Sequence, residues 1–180
     1  PVTGVLPLPL AEYRKDFRDQ GAALEALLER CDVITLPRLE GDDPATDAAA
    51  RNRHYAQLGV FLSNHCQVLL ALWDGKPSDA PGGTSSVVNY HLTGKMPAYS
   101  VEDDSPNLLA ENENDLAYCI MVSRNRPGGA PRKGLKPLQT EWITAHWGFE
   151  SGEQMPLDYR VTLHRLQDYQ QDKAKYQDKI

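Results

Sequence analysis

The chain is short of three things, and each shortage removes a class of function. Cysteine is scarce: Cys31, Cys66 and Cys119 are the only three. They are odd in number and no pair has metal-ligand spacing, so a disulfide framework is disfavoured. All three lie among apolar residues and are expected as small core residues in a reducing compartment. Positive charge is also scarce, with 19 Lys and Arg against 25 Asp and Glu and a net charge of −6. A general nucleic-acid or anionic-membrane surface needs a cationic footprint, which this balance does not supply. A small anion in a local pocket remains compatible with it. Long hydrophobic runs are missing too. No segment reaches about 18 uninterrupted apolar residues, so no membrane-spanning helix is expected. Nothing at the start reads as a signal peptide. The histidines, His54, His65, His91, His146 and His164, are scattered without an i, i+4 pair, and no metal site is expected. No G-x-S-x-G elbow is present.

What remains is an ordinary globular composition. Of 180 residues, 41% are apolar and 24% are charged. That length suits one domain able to bury about two-thirds of its unfolded surface. The chain opens on Pro1 and runs at once into the strand-like "VTGVLPLPL", so we expect its natural start to lie upstream. Val2 to Leu8 reads as a buried strand bounded by prolines. Leu24, Leu27, Leu28 and Cys31 give a helix face, and "DVITLP" a second strand. Thr46 or Asp47 caps a long helix to about Cys66, with Tyr55, Leu58, Gly59 and Leu62 on one face. The continuous run "QVLLALW" is expected as the central strand of a parallel sheet covered on both faces.

Another helix is expected from about Gly83 to Leu92. A short strand at Ala98–Val101 and a polar helix or loop in "SPNLLAENENDL" follow, then a strand in "AYCIMVSR". Residues 125–137 read as a Gly-, Pro- and Arg/Lys-rich loop, more simply a solvated turn than a phosphate contact. "LQTEWITAHWG" is ambiguous between strand and helix. Asp158 to Ile180 reads as a charged amphipathic helix with Tyr159, Leu163, Leu166, Tyr169, Tyr176 and Ile180 along one stripe. The acidic group Glu102, Asp103, Asp104, Glu111, Glu113 and Asp115 reads as a solvated face, and Trp73, Trp142 and Trp147 as core or lid aromatics. The alternation implies a three-layer α/β domain with a mainly parallel sheet and right-handed crossovers. The expected division is 1–157 for that domain and 158–180 for an end helix that connects to a further domain or partner.

In such sheets, ligands bind at the carboxyl ends of the strands. There the chain places "DGKPSDAPGGTSS". Asp74 should face the crevice, because burying a lone carboxylate is costly. Gly82 and Gly83 allow close backbone approach, and Thr84 and Ser85 fall in the first helical turn. Free N–H groups and the helix dipole favour a phosphate or carboxylate there. Hydroxyls of Thr84, Ser85 and Ser86 add donors, and Lys76 a mobile positive charge. The plainer alternative is loop punctuation with Thr84 as a cap. The P-loop ending and the G-x-G-x-x-G spacing are both absent. Tyr13 and Arg14 follow the "PLPL" turn and should also lie near the strand ends. There Tyr13 could stack on a base and Arg14 meet a phosphate, or both belong to a surface helix start.

"LLALWDGKPSDAPGGTSSVV" resembles the signature of the SLOG superfamily. That Rossmann-like group includes LOG phosphoribohydrolases and LOG- and TIR-associated nucleotide-sensing domains of bacterial defence systems. "GVLPLPLAEYRKDF" is similar to the family's second strand and turn, and "RHYAQLGVFLSNHCQVLLALWDG" to its helix and signature strand. "LHRLQDYQQD" is similar to the segment that closes such domains, often before membrane helices. The resemblance implies a nucleotide or nucleotide-derived ligand at Asp74, Gly75, Lys76, Gly82, Gly83, Thr84 and Ser85, with Tyr13 nearby. It also implies an earlier strand and glycine turn preceding Pro1. Two departures bear on catalysis. LOG enzymes carry Gly-Thr-x-x-Glu, and the glutamate position is Val87 here. Many relatives are acidic where this chain has Ser86. Without those carboxylates, glycosidic cleavage loses its acid/base group.

The leading expectation is therefore a sensing module for a nucleotide, NAD-like or cyclic ligand, coupled to an effector in bacterial signalling or defence. No cofactor or metal is required. The expected setting is cytoplasmic, or the cytosolic part of a membrane-anchored protein, as a homo-oligomer with an effector or membrane domain downstream. One alternative is an N-glycosidic hydrolase of NAD or a nucleoside monophosphate, with Asp74 as its carboxylate. The other is a ligand-free oligomerisation domain.

Overall fold

The computed structural model describes residues 2–17, 19–78, 80–96, 99, 116–145 and 150–177. Of the expected strand at 98–101 only Tyr99 is described; the segment 105–115, the acidic group at 102–115, His146, Trp147 and Ile180 lie outside the described residues.

Local chemistry sets the first elements. Strand β1 (Thr3–Leu6) stops at Pro7, whose ring offers no N–H to a ladder. A four-residue helix α1 (Leu10–Tyr13) and a 3-10 turn (Arg14–Phe17) follow. Helix α2 (Gly21–Leu28) then leads to β2 (Asp32–Thr35), which pairs with β1 in parallel. Helix α3 (Ala48–Asn64) begins at Asp47, whose carboxylate accepts the amide of Ala49 at 2.8 Å. That satisfies one of the helix's orphan donors. Strand β3 (Val68–Trp73) comes next, then α4 (Thr84–Thr93), which ends on Gly94 in the left-handed conformation.

Strand β4 (Leu116–Met121) lies parallel to β3, with Leu69 opposite Ala117 and Ala71 opposite Cys119. Two further strands, β5 (Thr140–Thr144) and β6 (Glu150–Gly152), add antiparallel. The ambiguous "LQTEWITAHWG" thus contains a strand, and β6 had no sequence signal. Helix α5 (Leu157–Gln177) ends the described chain. The fold is mixed α/β, with a two-stranded sheet β1-β2 and a four-stranded sheet β3-β4-β5-β6.

The core lies between α4 and one face of β3 and β4. Leu69, Ala71, Val88, Leu92, Ala117, Cys119 and Met121 form it. Burial pushes the Cys119 thiol up to about 11, the Glu141 charge adding to it, so that sulfur stays protonated. His91 is buried in α4, with its Nε2 3.1 Å from the Leu116 carbonyl. The expectation for β3 needs correction on two points. Among the described residues it stands at the edge of its sheet, not in the centre. Its second face is open, with Leu70 and Leu72 68% and 65% exposed. Among the described residues no helix is long and apolar enough to cross a membrane.

Candidate functional site

The crevice at the carboxyl ends of β3 and β4 is where the chain concentrates turns and charge. β3 leaves the sheet at Trp73, and Asp74 follows at 2% exposure. Its carboxylate is fully engaged by this chain. One oxygen accepts the amide of Lys76 at 3.2 Å, and the other pairs with Nε of Arg124 at 2.8 Å. Its carbonyl accepts the amide of Arg132 at 2.7 Å. Asp74 therefore ties the β3 turn to the loop after β4. Such bonds satisfy a buried charge.

Gly75 is buried at φ 72°, and a Cβ there would meet Leu135, Arg132 and Met121 at 3.3–3.4 Å. Only glycine takes that backbone angle freely in so small a space. Lys76 donates from Nζ to the Gly128 carbonyl at 2.7 Å. The expected mobile charge is bonded to the 122–129 loop. The Trp73 ring nitrogen donates to the Lys76 carbonyl at 3.1 Å, closing the turn from below.

The glycine pair divides its work. Gly82 is the one at positive φ, 75°, and a Cβ there would come within 2.7 Å of the Ala56 amide nitrogen and the Tyr55 Cβ. Its lack of a side chain lets the loop lie directly on α3. Gly83 is extended, at φ −74° and ψ 156°, and serves as the N-cap of α4 without a side-chain cap bond. Thr84 and Ser85 are half-buried, in the first turn. Two of the expected donor hydroxyls hold the loop itself. Ser85 Oγ accepts the Ser78 amide at 3.1 Å, and the buried Ser86 donates to the Ala80 carbonyl at 2.8 Å.

Tyr13 reaches the same neighbourhood from the other side. Its ring lies 4.9 Å from Phe17 and 6.5 Å from Tyr55, centre to centre. Tyr55 is the residue under Gly82, so Tyr13 and the glycine loop share a contact on α3. Tyr55 Oη donates to Asp16 at 2.5 Å, and Arg51 pairs with the same oxygen at 2.6 Å. Burial, with the Asp16 bond and charge, pushes the Tyr55 hydroxyl well up. Arg14 pairs with Glu25 at 2.6 Å instead of facing the loop.

Asp74, Gly75, Lys76, Gly82, Gly83, Thr84 and Ser85 thus form one continuous turn-and-helix segment, with Tyr13 one residue contact away. Sequence reasoning missed Arg124, Arg132 and Glu141. Arg132 lies in the 125–137 loop that reads as solvated and Arg124 at the end of the expected strand "AYCIMVSR", and nothing local shows that Asp74 calls them inward. Beside the segment is a cavity of about 420 Å³. Trp73, Val88, Leu92, Met121 and Ile143 supply apolar walls, while Ser85, Asn89 and Arg132 bring polar groups to it. Arg132 pairs there with Glu141 at 3.9 Å. Mostly apolar walls with a few polar groups are the usual make-up of a small-ligand pocket. Val87 packs on Gly59 of α3, so a carboxylate at that position would point into a helix interface. Among the described residues no group of three or more His, Cys, Asp and Glu is arranged to hold a metal. Compared with protein-family models, curated proteins and solved structures, the chain matches none.

Proposed function

We propose that the chain is a Rossmann-like, three-layer binding module that recognises a nucleotide or nucleotide-derived molecule, NAD-like or cyclic, and couples its occupancy to an effector. The observation that carries this reading is the first turn of α4. It starts beside the end of β3, its N-cap is a glycine with no side-chain cap, and Ser85 of that turn lines the cavity. Open amides at a helix start, with the helix dipole behind them, favour an anionic group. The apolar walls beside it suit a flat, weakly polar group attached to that anion. Resemblance to SLOG domains supports the same ligand class and a setting in bacterial signalling or defence.

Binding is better supported than hydrolysis. Asp74 is bonded to Arg124 and Lys76, and Val87 and Ser86 stand where an acid would serve catalysis. The test is a thermal shift with AMP, NAD and cyclic dinucleotides on the wild-type chain and on Gly83→Asp. Aspartate suits the extended N-cap backbone angles and stabilises helix starts by about 1 kcal/mol, which offsets the approach of its Cβ to the Ala80 carbonyl oxygen at 3.2 Å. Its carboxylate also repels an anion at that seat. The variant should keep a basal Tm within a few degrees of wild type while losing the ligand-induced rise, which at 100-fold saturation amounts to about 2.7 kcal/mol. A wild-type chain that no nucleotide stabilises, or an undiminished shift in Gly83→Asp, defeats the reading. Release of nicotinamide or free base, lost in Asp74→Asn, would move the assignment to a hydrolase.

A further inference from the structure

One charged pair in the cavity has no part in the anion seat at α4. Glu141 lies on β5 opposite Cys119, and Ile143 lies opposite Ala117. Ile143 packs against the core beneath α4. Side chains two apart on a strand share a face, as do side chains directly opposite on paired strands. Glu141 therefore stands on the core-facing side of β5, where alternation calls for an apolar residue. Burial first and the Glu141 charge second hold the Cys119 thiol up, as a carboxylate on that face would.

The Glu141 side chain is only 13% exposed. A carboxylate so placed costs free energy unless its oxygens are paired. Among the described residues it accepts no hydrogen bond, and its ion pair is with Arg132, whose Nη2 stands 3.9 Å from Oε2. That separation is beyond a hydrogen bond. Asp74, on the same rim, has both of its carboxylate oxygens bonded. Glu141 and Arg132 instead present an acceptor and a donor side by side in the cavity wall.

The remaining walls narrow the ligand. Trp73 and Met121 lie opposite each other at the ends of β3 and β4, and with Val88 and Ile143 they make the lining apolar. Such walls suit a flat aromatic ring better than a polyol. A ring read by the pair must offer an acceptor to the arginine and donors to both carboxylate oxygens. Guanine does so, because O6 accepts while N1–H and the N2 amino group donate from one edge. Adenine brings a single amino donor flanked by ring nitrogens that only accept. Its edge would set a lone pair against the second carboxylate oxygen, and a half-buried acceptor left unpaired weakens binding.

We infer that the cavity takes the base of a guanine nucleotide, with Glu141 accepting from N1–H and the N2 amino group and Arg132 donating to O6. This rests on the nucleotide reading, in which the first turn of α4 holds the phosphate of the same molecule.

The test is calorimetric titration of GMP, IMP and AMP into the wild-type chain, Glu141→Gln, Arg132→Ala and Gly83→Asp, with the Tm of each variant taken without nucleotide as a check on folding. GMP should bind the wild type about 10-fold or more tighter than AMP, as expected for bonds to a charged acceptor. IMP lacks only the N2 amino group and should fall between them. Glu141→Gln keeps the size of the side chain but sets a donor where an acceptor stood. It should weaken GMP by about 10-fold or more and leave AMP nearly unchanged. Arg132→Ala, at a side chain 54% exposed, should weaken GMP and IMP, which share O6, more than AMP. Equal wild-type affinities for GMP and AMP overturn the inference. So does a Glu141→Gln chain that keeps its preference for GMP, or one that loses all three nucleotides alike, which would make the pair a strut. In each of those cases the nucleotide reading stands if Gly83→Asp still abolishes binding. Failure of all three nucleotides to bind the wild type overturns both.

Discussion

At the scale of single residues, the site is held together by groups that the sequence leaves looking solvent-borne. Asp16 is one. Burial alone raises its pKa, but hydrogen bonds from Arg51 and Tyr55, with the Arg51 charge, hold it below the ordinary carboxylate value. A carboxylate depressed in the folded state stabilises the fold above its unfolded pKa, and that stability is lost as pH falls through the folded value. The Tm of the wild-type chain should therefore fall between about pH 5 and pH 3, the range in which carboxylates titrate. Asp16→Asn should be less stable at pH 7 and show a shallower fall. Parallel acid limbs for the two proteins would mean that the Arg51–Asp16–Tyr55 cluster is energetically silent. Gly82 shows how far local sequence can be read. The need for glycine is plain from "PGGTSS", yet which glycine takes the positive angle is set by α3, whose Tyr55 and Ala56 lie 27 and 26 positions earlier.

At the scale of elements, α3 and α4 are the pair that aims the site. Gly59 lies against Val87, so close that a Cβ at position 59 would overlap the valine side chain. Gly59→Ala should gain helix propensity of about 1 kcal/mol and lose more by overpacking, which typically costs about 1–3 kcal/mol. The expected net is a lower Tm, measured by calorimetry, with Gly59→Ala/Val87→Ala recovering most of the loss. A variant as stable as wild type would show that the helices separate freely. Helical periodicity made α3 legible, and Asp47, one of the two cap candidates in the sequence, caps it in the structure; α4 was legible from the glycine pair and threonine that open it. Strand context was less legible. A continuous apolar run such as "VLLALW" looks the same whether one or both faces are covered, because hydrophobicity records the finished assembly and not the neighbour. The antiparallel β5 escaped because its place depends on where the long 122–139 loop returns, which no local pattern encodes.

At the scale of the whole molecule, the cavity and the turn after β3 lie on one side of the sheet and α5 extends from the other end of the chain. Every described side chain from His164 to Lys173 is exposed. Removing the chain from Leu166 onward should therefore leave the Tm within a few degrees of wild type, since surface segments contribute little to the cooperative core. A large drop would place a hidden contact on that helix. The expected stripe of Leu163, Leu166 and Tyr169 is present, but Leu166 and Tyr169 are 49% and 67% exposed and cover nothing described.

The root of α5 is fastened where Tyr159 meets Thr144, 3.2 Å apart, on the strand that also carries Glu141 and Ile143 of the cavity wall. From that anchor the 21 residues of the helix project, about 31 Å at 1.5 Å per residue. A rigid rod of that length magnifies movement at its base. A tilt of about 10° at β5 sweeps the far tip through about 5 Å, roughly one helical turn. A small tilt at the root would therefore arrive enlarged at the far end of the described helix.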